Sequence, residues 1–193
     1  MIQSKGFAMI HLVNSTFERH SMQRTSGWLA SACLMLMVVL PVVVVAYWAV
    51  ADPGLLAVRA NMLPNAIQAP LQPWQRWAGA GVTCIPVALM LLGLWQARQC
   101  FLQFAQGRVF TQQAVQRLRA FAAWALAASV ADMLTSPVLS VLLTLHNPPG
   151  MQHVAIGIGT DHVLSTLFAA MVWVMASVIA QGQMLAEENA SFV

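Results

Sequence analysis

Apolar residues in this chain gather into four long runs, unlike the alternation of a half-buried strand or the narrow stripe of a soluble helix. The runs cover about 28–50, 77–95, 120–145 and 163–185, each bounded by charged or turn residues. A helix rises about 1.5 Å per residue, so about 20 apolar residues cross a ~30 Å hydrocarbon layer. Every run meets that length. The pattern predicts an all-α integral membrane protein, a four-helix bundle over 27–193 preceded by a polar leader over 1–26. The connections are too short for a separate soluble domain.

The polar segments between the runs carry their own signals. After the second run, the chain reads as helix through Phe104 and ends at Gly107, which suits a left-handed cap. Thr111 is placed to cap the third helix, with Phe110 and Val115 at the positions of a hydrophobic staple. The first outer connection, 51–76, is rich in proline yet keeps Leu55, Leu56, Met62, Leu63 and Ile67. Such a lightly charged, proline-broken segment is expected to rest on the membrane surface. The second, 146–162, opens on the turn sequence Asn147-Pro148-Pro149-Gly150. Its Gly157-Ile158-Gly159-Thr160 lacks the preceding strand and further glycine of a phosphate cradle.

Composition supports this architecture: 59% of residues are hydrophobic and 8% charged, about a third of the charged share usual in soluble domains. The net charge of +3 does not mark a nucleic-acid binder, because the basic residues sit between apolar runs instead of on one amphipathic surface. No direct nucleic-acid binding is expected. Their placement does orient the chain. Lys5, Arg19 and Arg24 precede the first run, and Arg98, Arg108, Arg117 and Arg119 flank the connection between the second and third. Only Arg59 and Arg76 fall on the opposite side, so seven positive charges face two. The positive-inside rule puts both termini of this multi-pass chain in the cytoplasm. Trp28, Trp48, Trp74, Trp77 and Trp95 fall near span ends, where indoles favour the headgroup layer. Ala49-Val50-Ala51 resembles a signal cleavage site, but the run before it is too long for a signal core and contains Pro41. It reads as a retained span.

Candidate chemistry is sparse. Asp132 is the only acidic or basic residue well inside a run, and it lies on one face with Ser129, Ser136, Ser140 and Thr144. A carboxyl group there must face a partner, water or the bundle interior. The favoured expectation is a protonated Asp132 hydrogen-bonded to a neighbouring helix, with the serines allowing close packing. The alternative is a proton or cation relay, or a polar lining for a small solute. Pro41, Pro86 and Pro137 lie inside the first three runs, as in many membrane helices. Glu187 and Glu188, beside Asn189, end the last helix against its dipole, so an ion-pair cluster with Arg108, Arg117 and Arg119 is expected on the cytoplasmic side. His146, His153, Asp161 and His162 cluster about the second outer connection without zinc-type spacing. No metal site and no cofactor are expected. Cys33, Cys84 and Cys100 have no paired spacing and read as free thiols. With no nucleophile–base pair in view, the chain is not expected to be an enzyme.

Two segments carry a resemblance. Phe104-Ala105-Gln106-Gly107-Arg108-Val109-Phe110-Thr111, leading to Val115-Gln116-Arg117-Leu118-Arg119, resembles a signature of a family of bacterial four-span inner-membrane proteins known as a domain of unknown function. The ending Gly182–Val193, with its acidic pair, Asn and final Val, resembles that family's ending. The likeness covers roughly Trp28 to Val193, leaves 1–26 outside and does not extend to the Asp132 stripe. Members are thought of as companions of small helix-turn-helix regulators, so the resemblance implies a sensing or sequestering role. The expected partners are therefore the lipid bilayer, a cytoplasmic regulator engaged through 98–119 and the tail, and further copies of the chain. The alternative is a subunit of an oligomeric transporter or channel using Ser129, Asp132, Ser136 and Ser140.

Overall fold

The computed structural model describes residues 3–107, 111–152, 154–157 and 159–191, with side chains described at 23–182 and 184 within those ranges. The described residues form five helices and no strand. These are α1 (Gln3–Val50), α2 (Pro53–Arg59), α3 (Pro73–Ala105), α4 (Gln112–Thr144) and α5 (Thr160–Ser191). Among the described residues four stretches are long and apolar enough to cross a membrane: Gln23–Val50, Pro73–Ala105, Gln112–Thr144 and Thr160–Gly182. The chain is a multi-pass membrane protein. α1 runs without a break from Gln3 into the first span.

Local chemistry sets the helix ends. Gly107 adopts φ +76°, and Thr111 accepts a hydrogen bond from the Ala114 amide at 3.2 Å, so the α3–α4 turn is built on its expected caps. The staple residue Phe110 lies outside the described residues. Asp52 caps α2 by accepting from Leu55 N at 3.1 Å, with Pro53 at the first helical position. At the far end of α4, Gln75 is buried and donates from Nε2 to the Leu142 carbonyl at 2.8 Å, satisfying an acceptor near that helix end.

Helices pack in chain order. α3 and α4 form the centre, α1 lies against α3, and α5 lies against α4. Burial follows this order: 33% and 39% of the most apolar windows of α3 and α4 are buried, against 11% for α1 and α5. Outward-facing Val38, Val42, Leu167 and Val174 are left for lipid. Trp28, Trp74, Trp77 and Trp95 are exposed, as an interfacial belt requires. Trp48 departs from that expectation. It is 1% exposed and lies on α3, where Gly79 makes room for its ring and Thr83 Oγ1 accepts its Nε1–H at 3.2 Å. Burying a full indole against a neighbouring helix outweighs leaving it at the interface.

The connection 51–72 also departs from a segment resting on the membrane surface. Leu56, Ala57 and Ala60 are completely buried, and Leu56 and Ala60 share a core with Trp48, Leu139 and Leu143. Leu56 and Ala60 are spent on this core, whereas Leu55, Val58 and Leu63 stay exposed. Asn147 joins this layer to the second connection. Its Oδ1 accepts from Gln68 N and Ala69 N at 3.1 and 3.3 Å, and its Nδ2 donates to Ala66 O and Met151 O at 2.7 and 3.0 Å. Gly150, at φ +89°, completes the turn that begins there. The molecule thus has a hairpin end, at the α3–α4 turn, and a loop end closed by a folded layer.

Candidate functional site

Asp132 sits 12 residues before the end of α4, about 18 Å below it along the helix axis. Its partner is Arg59, the last residue of α2, whose Nη2 lies 2.5 Å from Oδ1. The side chains are 33% and 27% exposed, so the pair is half-buried. The partner thus comes from the loop layer where a neighbouring span is expected, because the inward fold of that layer brings α2 down to Asp132. Asn61, just beyond α2 at φ 56°, donates from Nδ2 to Ser136 Oγ at 2.8 Å, one helical turn further along α4.

The serine stripe divides at this level. Ser129 and Asp132 line a cleft of about 500 Å³ whose walls include Leu40 of α1, Pro86 of α3, and Leu164 and Phe168 of α5. Ser136 and Ser140 are 1% and 0% exposed and belong to the packing of the loop layer. Ser140 Oγ accepts from the Ala155 amide at 2.9 Å and donates to Pro137 O at 2.8 Å. Thr144 donates to Ser140 O at 2.7 Å. One half of the stripe therefore faces a cleft, and the other half fastens the two connections to α4.

Two more ionisable residues join Asp132 from the first turn of α5. One carboxylate oxygen of Asp132, one of Asp161 and one imidazole nitrogen of His162 lie within 4.8 Å of one another. Asp161 is exposed and His162 intermediate, and Asp161 gains from the positive pole of the α5 N-terminus. Sequence reading left Asp132 without charged companions, whereas the fold supplies Arg59, Asp161 and His162. The available signal was Arg59 itself, a charge directly after the apolar stretch 53–58 with no purpose on a lipid-facing surface. His146 instead meets the Trp74 ring edge-on, with centroids 6.0 Å apart, and His153 lies outside the described residues.

At the hairpin end the expected ion-pair cluster is described only in part. Arg108 lies outside the described residues, as do the side chains of Glu187, Glu188 and Asn189. Arg117 donates to Gln96 Oε1 at 2.6 Å, tying α4 to α3. Arg119 donates to Ser177 Oγ at 3.3 Å and stands 6.0 Å from the Trp173 ring centroid, tying α4 to α5. These two arginines work between spanning helices. Among the described residues of the turn, Gln106, Gly107, Gln112, Gln113 and Gln116 are exposed.

Residues 62–193 match the family model described as "Protein of unknown function (DUF2975)", which takes in α3, α4, α5 and the second connection but not Arg59. No curated protein and no solved structure matches the chain.

Proposed function

Because the chain belongs to the DUF2975 family of proteins of unknown function, we propose a role from its own geometry: a non-enzymatic signalling protein of a bacterial inner membrane. In this reading the hairpin end faces the cytoplasm, as the excess of Lys and Arg at that end favours. A soluble regulator docks on the exposed glutamine-rich turn and the C-terminal tail. The observation carrying the reading is the reach of α4. One helix holds Asp132, gripped from the loop layer by Arg59, and also Arg117 and Arg119, which grip α3 and α5 towards the hairpin end. A change in the Arg59–Asp132 pair that shifts or turns α4 alters the surface offered at the turn.

The test is affinity capture from native membranes, read by mass spectrometry. A stoichiometric cytoplasmic protein is expected with the native chain, lost on changing Gln113 and Gln116 together to Glu, and changed in amount by Asp132→Asn. Recovery of further copies of the chain alone would count against it. A transporter or channel subunit is the second reading, supported by the cleft that Ser129 and Asp132 line. Phe121, Met90 and Phe168 also line this cleft, so a polar path through it would need the helices to rearrange or a second copy to contribute. Cation flux into proteoliposomes that Asp132→Asn abolishes would favour it.

A further inference from the structure

Asp132, Asp161 and His162 draw two carboxylates and an imidazole together from α4 and α5, and Arg59 neutralises only one of the two negative charges. We infer that these three side chains bind one divalent transition-metal ion of the Zn²⁺ class. This goes beyond the signalling reading and does not depend on it, because the ion is read on the purified chain alone.

The donor set fits. An imidazole nitrogen with carboxylate oxygens suits zinc and its neighbours, whereas Mg²⁺ and Ca²⁺ favour oxygen alone. Bonds of about 2.1 Å in a tetrahedral shell place two ligands of one ion about 3.4 Å apart. The ligand atoms here lie within 4.8 Å of one another, so a change of about 1.4 Å at most in each separation closes the set. Arg59 engages Oδ1 of Asp132, and a carboxylate has a second oxygen with which it can ligate an ion. A charged group on the non-ligating oxygen orients the carboxylate, as outer partners do in metal sites generally. Neither the Asp161 carboxylate nor the His162 ring has a hydrogen-bond partner among the described residues. Two acidic side chains face one guanidinium here, and a divalent ion supplies further positive charge between them.

Gly159 contributes through space. A Cβ placed there would fall 2.1 Å from Asp161 Oδ1, so the carboxylate occupies the position a side chain would take. Gly159→Ala therefore moves Asp161 while leaving all three ligand residues in the chain.

The experiment uses the full chain, purified without a histidine tag, stripped with chelator and held in lipid nanodiscs. Zn²⁺ titration by calorimetry is expected to saturate at one ion per chain, with Mg²⁺ giving no saturable binding. His162→Gln and Asp161→Asn should each weaken Zn²⁺ binding at least tenfold, Gly159→Ala should weaken it several-fold, and His146→Gln should leave it unchanged. Circular dichroism on each variant confirms that helix content is retained. Asp132→Asn is a weaker probe because it also breaks the ion pair. Unsaturable Zn²⁺ binding, equal binding by His162→Gln, or stabilisation by acid without any response to metal would each overturn the assignment. The last result would mean that a proton balances the cluster.

Discussion

Arg59 and Asp132 stand 73 residues apart, and each is costly where it lies without the other. Asp132→Asn leaves a guanidinium half-buried and unpaired, at a cost of roughly 1–3 kcal/mol, below the fully buried case because water still reaches about a third of Arg59. Adding Arg59→Gln should recover most of that loss. Thermal unfolding of both single variants and the double variant in detergent measures the coupling, and simple additivity would deny it. Asn147 is a second concentrated position. Asn147→Ala removes side-chain bonds to four backbone groups at once, so a loss of roughly 2–4 kcal/mol is expected in the same assay. Residue by residue, the sequence was informative about Asp132 and nearly silent about its companions. Periodicity along one helix marks a polar face, but it carries no information on which loop residue will reach that face from elsewhere in the chain. Asn147 could be read as opening a turn, yet its partners at Ala66, Gln68 and Ala69 are set only by how two loops meet.

Among the elements, the spanning helices and the α3–α4 turn were legible because their determinants are local: apolar length, Gly107, and the Thr111 cap. The loop layer was not, because α2 is only seven residues long and takes its stability from Leu139 and Leu143 of a distant helix. The α1–α3 contact has a sharper geometric requirement. A Cβ on Gly79 would lie 2.2 Å from the Trp48 ring, so Gly79→Ala is expected to cost roughly 1–3 kcal/mol by overpacking. Trp48→Phe shortens the ring at the point of contact and should relieve the Gly79→Ala defect when the two are combined. The double variant melting no higher than Gly79→Ala alone would show that the strain lies elsewhere.

For the whole molecule, the excess of positive charge at the hairpin end sets a testable orientation. After replacement of Cys33, Cys84 and Cys100 by Ala, single cysteines introduced at exposed Gln106 and Asn65 should label from opposite faces of sealed vesicles, Gln106 from the cytoplasmic one. Labelling of both from one face would refute the four-span arrangement, and a reversed pattern would refute the orientation. The packing order of the helices also governs assembly. α1 meets α3, α3 meets α4 and α4 meets α5, so each spanning helix packs on the spanning helix that neighbours it in the chain. Helix pairing can thus keep pace with synthesis. The loop layer cannot, because α2 is made long before the stretch of α4 that receives it. Until that stretch is inserted, Arg59 lacks Asp132, and Leu56 lacks Leu139 and Leu143. The bilayer crossings are therefore laid down in the order of translation, while the outer cap has to wait and closes as a late, separate event.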